Sequence, residues 1–207
     1  MNEVTIRYHG HACFTLEYQG FRTVLDPYAD GMVPGLPGLS LEAETVLCSH
    51  GHGDHAFIQA VDCKSGVESA PYQLQILQTY HDDQNGTLRG ENRIHVFRFG
   101  NLSVAHLGDL GHIPEDDVLT ELKGIDCMLI PVGGFYTIDP DTAARLVELT
   151  QPKVTVPMHY RTDSTGFDVL AHIDTFTAKF DQVISCVNSF TLTGEEPQQI
   201  LVIDYKP

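Results

Sequence analysis

Residues 3–8 alternate polar and apolar with a period of two, and 12–18 and 21–25 are short segments rich in β-branched and aromatic residues, so all three read as strands. Gln19-Gly20 joins the second and third of these segments as a two-residue hairpin turn. Residues 27–44 carry Pro27, Gly31, Pro34, Gly35, Pro37 and Gly38 and read as a loop. Its apolar residues Met32, Val33, Leu36 and Leu39 make it a candidate lid over a substrate or a subunit neighbour. Thr45-Val46-Leu47-Cys48 is a short strand of the fully buried type. Residues 66–80 predict one or two strands, with Gln-rich 73–78 also compatible with a helix, and 82–93 form a polar loop. Ile94–Phe99 and Leu102–Leu107 flank Gly100-Asn101, a second hairpin signal.

The pattern then changes period. Pro114 opens a helix with apolar Val118, Leu119 and Leu122, and Gly124 follows as its stop. Asp126–Ile130 is a buried strand. Asp139 is an N-cap with Pro140 at N1, for a helix running to about Thr150 before Pro152. Lys153–Val156 is a strand. Val169, Ile173, Phe176 and Phe180 recur at helical spacing, and Ile200–Tyr205 closes with a strand. Strands come first and strand–helix alternation later, with no linker or composition break. The expectation is one domain over 1–207, with sheets inside and helices outside.

Composition narrows the function classes. The 207 residues include 28 Asp+Glu against 12 Lys+Arg, a formal charge of −16, and 11 His. No basic field is available for nucleic acid or for an acidic membrane surface, so neither partner is expected. The first residues lack the pattern of a signal peptide, and no apolar run reaches the ~20 residues of a membrane span. Cys13, Cys48, Cys63, Cys127 and Cys186 are scattered with no C-x-x-C pair, as expected for free thiols in a reducing cytoplasm.

The chemistry concentrates in Ser49-His50-Gly51-His52-Gly53-Asp54-His55, at the end of a hydrophobic strand. The glycines let the backbone turn sharply, so ligands that would diverge can converge on a small volume. Imidazole and carboxylate donors suit zinc, and also manganese or iron.

This H-x-H-x-D-H run resembles the signature of the metallo-β-lactamase superfamily. Leu25-Asp26-Pro27, Tyr80-His81-Asp82, His106-Leu107-Gly108-Asp109 and Pro157-Met158-His159-Tyr160 resemble its other motifs, in the same order. Gly10-His11-Ala12, Pro131-Val132-Gly133-Gly134 and Met158-His159-Tyr160 resemble its small single-domain branch of predicted zinc-dependent hydrolases, which includes L-ascorbate-6-phosphate lactonase. The resemblance implies an αβ/βα four-layer sandwich and two divalent metal ions, zinc first. Carried onto matching positions, His50, His52 and His81 would bind one metal and Asp54, His55 and His159 the other. Asp109 would bridge them, with a hydroxide in the remaining shared position. His106 competes with His81: His81 stands at a strand end before a polar loop, His106 within a strand.

The implied activity is hydrolysis of a small, anionic ester, lactone or phosphoester, with Asp54 orienting the hydroxide or passing a proton. Asp26 is expected to hydrogen-bond a ligand histidine. Tyr136, Tyr160 and Arg161 adjoin motifs and are candidates for an oxyanion or anionic group. Arg89, in the polar loop, carries less weight. His11 and His112 flank motifs near the mouth of the site, whereas His9, His95 and His172 read as structural. Length and charge disfavour an RNA-processing nuclease, and length leaves no room for a flavodoxin domain. The start disfavours a secreted β-lactamase, and the full ligand set a mono-iron dioxygenase. A non-hydrolytic metal-binding or sensing protein on the same scaffold is the alternative of another class. The sequence leaves the oligomeric state open.

Overall fold

Six strands point their C-terminal ends toward one edge of the molecule, and each is followed by a chemistry-bearing residue. In the computed structural model, which describes residues 2–64 and 69–206, β1 (Val4–Tyr8), β2 (Phe14–Tyr18) and β3 (Phe21–Leu25) form an antiparallel meander. β4 (Leu41–Ala43) follows, and β5 (Thr45–Leu47) pairs parallel with β3. A 3-10 turn (Ile58–Ala60) leads into β6 (Val61–Cys63), and β7 (Gln73–Tyr80), β8 (Glu91–Phe99) and β9 (Leu102–His106) make a second antiparallel meander. The chain continues through α1 (Asp116–Leu122), β10 (Cys127–Pro131), α2 (Pro140–Thr150), β11 (Val154–Met158), α3 (Ile173–Thr177), β12 (Val183–Val187), β13 (Ser189–Leu192) and β14 (Gln199–Asp204).

The strands form a five-stranded sheet in the order β13-β1-β2-β3-β5 and a seven-stranded sheet in the order β12-β14-β11-β10-β9-β8-β7. β4 and β6 pair separately. In the small sheet, two antiparallel steps give β1 the direction of β3, and β5 is parallel to β3. In the large sheet the same count gives β7 the direction of β9, and β10 and β11 run parallel to β9. Ligands in open α/β sheets gather at such C-terminal strand ends.

Burial follows from the sequence pattern. β1 and β2 alternate buried and exposed positions, while β10 and β11 are buried along their whole length, as central parallel strands must be. The two sheets pack face to face through Ile6, Phe14, Leu16, Phe97, Val104, Leu129 and Val156. Met128 and Ile130, on the other face of β10, pack instead with Leu122, Leu146 and Phe176 of the three helices. The outer face of the five-stranded sheet is covered by the 27–44 loop and the β4/β6 pair, through Val24, Tyr28, Val33, Ala43 and Val61. The two central sheets and the helical layer on one of them match the expected sandwich, while the layer on the other sheet is loop and the β4/β6 pair in place of helices.

Local sequence chemistry sets several boundaries. Gln19 and Gly20 both adopt positive φ (52° and 79°), which matches the twist of the β2–β3 hairpin. The Asp139 side chain accepts the Thr142 backbone N–H at 2.7 Å, and Pro140 starts α2. α1 begins at Asp116 rather than at Pro114, and Gly124 ends it at φ +68°.

Other boundaries differ from the sequence reading. Residues 73–80 form a strand and not a helix, while 66–68 lie outside the described residues. The polar run 82–93 gives its last three residues to β8. Only Ile173–Thr177 of the expected 169–180 helix is α-helical; Val169 is half exposed before the His172 cap. β4, β6, β12 and β13 are additions. Among the described residues, no helix is long and apolar enough to cross a membrane.

Leu129, 0 % exposed where the two sheets meet, tests this packing. Leu129→Ala is expected to lower unfolding free energy by about 2–5 kcal/mol in urea titrations, from lost burial and the remaining cavity.

Candidate metal centre

At the shared strand edge, β1 leads to His11, β3 to Asp26 and β5 to the His50–His55 run. β7 leads to His81, β9 to Asp109 and β11 to His159. The donors form three close groups, of which two face the cavity and the third joins Asp26 to His50 and His55 beneath them. One ligand atom from each of His50, His52 and His81 lies within 4.8 Å of the others, and the same holds for His11, Asp54, His55 and His159.

Asp109 stands between the groups, 2 % exposed. Its Oδ2 lies 3.1 Å from His81 Nε2, 3.3 Å from His159 Nε2 and 3.9 Å from His50 Nε2; its Oδ1 lies 3.2 Å from His55 Nε2. These are close approaches without hydrogen-bond alignment. The Nε2 atoms of His50, His55 and His159 and Asp109 Oδ1 are buried and unpartnered. Unpartnered buried polar atoms are costly, and here they converge on one volume. The donor set fits divalent ions of the zinc, manganese or iron type.

Asp26 explains which ring nitrogens are free. Its carboxylate, 0 % exposed, accepts the Ser49 backbone N–H at 2.7 Å and the Ser49 hydroxyl at 2.5 Å. His55 Nδ1 lies 2.8 Å from the same Oδ2 and donates to it. Because the Ser49 proton is spent on Asp26, Ser49 Oγ must accept from His50 Nδ1, 2.9 Å away. One carboxylate therefore anchors the Nδ1–H of two histidines, one in each group, and aims each Nε2 at the centre, where a bound ion would take the place of the proton that His55 otherwise carries.

The charges follow from this packing. Burial raises the Asp109 carboxyl, but His159 and His55 outweigh it and hold the group well below its ordinary value. Burial would lower His55, yet Asp109 and Asp26 beside it push it well above its ordinary value. Burial takes His50 down to about 3. Asp109 is placed from behind by Asn92, whose Oδ1 accepts the Asp109 N–H at 2.9 Å while its Nδ2 donates to Thr79 Oγ1 and the Leu107 carbonyl. Gly108, φ +56°, makes the turn; a Cβ there would meet Asn92 Oδ1 at 2.3 Å and Ser49 Cβ at 2.5 Å.

The other expected residues separate clearly. His106 has both nitrogens engaged, Nε2 with the Ala12 carbonyl at 2.9 Å and Nδ1 with the Gly108 N–H at 3.2 Å, so it braces the two sheets. His11 lies inside the second group: its Nε2 is 3.3 Å from Asp54 Oδ2 and its ring is 4.1 Å from that of His159. A cavity of about 280 Å³ opens over the centre, with His52, Asp54, His81 and Asp109 at its base. Met32 of the 27–44 loop, Arg89, Tyr136 and Phe167 form its walls.

Tyr160 and Arg161 do not line this cavity. Tyr160 is 8 % exposed in the core and faces a separate 260 Å³ cavity with Tyr8. Arg161 Nε is spent on the Leu170 carbonyl at 2.9 Å. Position next to His159 in sequence misleads here, because the chain turns at His159 (φ +53°) and carries its successors away. His112 bonds the Ile113 carbonyl and lies in another cleft beside Tyr80. His9 pairs with Thr15, and His172 caps α3. Asn92 and Phe167 had no sequence signal, since neither stands in a ligand-like spacing.

Comparison with known proteins agrees with this geometry. Residues 5–159 match the family model described as a beta-lactamase superfamily domain. A Thermotoga maritima structure assigned to the Zn-dependent hydrolases of the metallo-β-lactamase superfamily is 32 % identical. It superposes with a TM-score of 0.77, over 98 % of this chain and 100 % of that one. A UPF0173 metal-dependent hydrolase of Thermoplasma volcanium is 26 % identical over 96 % of this chain and 100 % of its own length. Another from Desulforamulus reducens is 27 % identical over 74 % of this chain and 82 % of its own. The chain belongs to the metallo-β-lactamase superfamily.

Two substitutions probe the centre. Asp26→Ala is expected to weaken metal affinity by about 10–100-fold in competition with a chromogenic chelator, because both histidine tautomers lose their anchor. His81→Ala is expected to lose bound metal, whereas His106→Ala keeps it and loses about 1–3 kcal/mol of stability. Metal analysis beside thermal unfolding separates the two; metal loss only in the His106 variant would reverse their roles.

Proposed function

We propose that this chain is a binuclear metal-dependent hydrolase acting on a small, anionic ester, lactone or phosphoester. The observation that carries this reading is the pair of donor groups flanking the buried, hydrogen-bond-poor Asp109 carboxylate. Metal dependence and hydrolase activity are also what the relatives' names describe. His50, His52 and His81 would hold one ion, Asp54, His55 and His159 the other, and Asp109 both. Bound there, two divalent ions would supply a hydroxide nucleophile at neutral pH and polarise the scissile carbonyl or phosphoryl group.

The chain's own groups prepare the rest. Asp54 faces the cavity with its side chain 20 % exposed. Burial raises its carboxyl, and the His11 hydrogen bond and neighbouring His55 bring it below its ordinary value, so it is ionised at neutral pH. An ionised oxygen at that position can take a proton from water and deliver it to a leaving group. His11, itself lowered to about 3 by burial, stays neutral and donates to Asp54 Oδ2, which fixes the direction of that carboxylate. Tyr136 and Phe167 limit water at the cavity wall. The charge of −16 favours a small molecule over nucleic acid or an acidic membrane as the partner.

Purified protein is expected to carry close to two transition-metal ions per chain, as two-metal hydrolytic sites do. Chelation should abolish turnover of a lactone or of bis(p-nitrophenyl) phosphate, and added zinc or manganese should restore it. Asp54→Ala is expected to lower kcat by about 10²–10⁴-fold, the range for losing a general base. Absence of metal, and of metal-restored turnover across an ester and phosphoester panel, would exclude the hydrolase.

A further inference from the structure

Among the described residues, Arg89 is the one Lys or Arg in the lining of the metal cavity. Its guanidinium lies over the Tyr136 ring, 5.8 Å from the centroid, and Tyr136 is backed edge-on by Phe167 at 6.2 Å. Stacking of this kind orients the planar cation without consuming its N–H donors. Among the described residues, Arg22 and Arg98 pair with glutamates, whereas no carboxylate lies within ion-pair distance of Arg89. Arg89 is half-buried, although its neighbours Thr87 and Leu88 are exposed. A positioned, unpaired guanidinium facing a cavity is a receptor for an oxyanion.

The backbone holds it there. Asp82 Oδ1 accepts the N–H groups of Gln84 at 2.8 Å and Gly86 at 2.9 Å. Its Oδ2 accepts those of Leu88 at 3.0 Å and Arg89 at 2.8 Å. The His81 N–H closes the loop on the Gly90 carbonyl at 3.0 Å. The residue adjoining Arg89 in this clamp is therefore next in sequence to a candidate ligand, His81. The loop fixes the backbone position from which the Arg89 side chain reaches the cavity, and the Tyr136 ring holds its far end.

We propose that Arg89 is the anion receptor of this cavity, and that the substrate bears a carboxylate or phosphate away from the bond that is cleaved. This rests on the hydrolase reading for the word substrate, but the receptor itself does not need it. Arg161, the sequence candidate for this role, is occupied elsewhere. In a chain of charge −16, a local cation beside the centre gives an anionic molecule a favourable place to dock.

The test compares two esters with one leaving group, p-nitrophenyl acetate and mono-p-nitrophenyl glutarate, in metal-loaded wild type, Arg89→Gln and Arg89→Lys. Wild type is expected to prefer the glutarate ester, and Arg89→Gln to shrink that ratio of kcat/KM by about 10–100-fold, mostly through KM. Arg89→Lys should restore part of it. A ratio unchanged by Arg89→Gln overturns the proposal. If wild type cleaves neither ester, the hydrolase reading is what fails, and calorimetry on the metal-free protein decides the receptor. There, orthophosphate or glutarate binding that Arg89→Gln abolishes supports it, with the tighter anion naming the group. Binding of neither, or binding indifferent to the substitution, overturns it.

Discussion

Beneath both donor groups, the Asp26 carboxylate accepts hydrogen bonds from His55 Nδ1 and from the Ser49 hydroxyl, whose oxygen in turn accepts from His50 Nδ1. A fully buried carboxylate survives only with its oxygens satisfied, and these two donors, with the Ser49 N–H, satisfy them. The consequence runs upward through the site. With each Nδ1–H committed below, the Nε2 atoms of His50 and His55 face the centre and Asp109. The parallel pairing of β3 and β5 makes this possible, because it sets Asp26 and Ser49 side by side just past the ends of those strands.

The same edge holds backbone strain. His11, Asp26 and His159 adopt φ values of 56°, 46° and 53°, in the left-handed region where non-glycine residues are uncommon. Glycine would relax each turn but would remove a side chain that the centre uses. Such conformations cost of order 1–3 kcal/mol each and persist where surrounding contacts over-determine them. Here the determining contacts include the His159 N–H to the His11 carbonyl at 2.8 Å, which ties the five-stranded sheet to the seven-stranded one across the site.

Much of this architecture could be read from local pattern. β1 and β2 announce themselves by alternation, β3 by the Gln19-Gly20 turn before it, and α2 by Asp139 and Pro140. The H-x-H-x-D-H run is compact enough that short-range geometry alone implies convergence. What stayed hidden depends on contacts far along the chain. β4 and β6 are three residues each, too short for any period, and exist because they pair with one another. Glu91–Arg93 look like loop by composition but become strand because β7 lies alongside. The sequence setting separates His81, at a strand end, from His106, within a strand, but the role of His106 as a brace shows only in its contact with the Ala12 carbonyl, 94 positions away. Arg161 and Arg89 exchanged importance for the same reason, since adjacency to a motif says little once the backbone turns.

The loop from His81 to Gly90 is hydrogen-bonded chiefly to itself through Asp82, and its ends are pinned by β7 and β8. It is a self-contained module on a fixed mount. Its interior residues can drift, lengthen or be exchanged while the sheet register and the Asp26 relay stay as they are. Descendants of one ancestral hydrolase could thus diverge in what they admit by rewriting this short segment, with the reactive centre inherited intact.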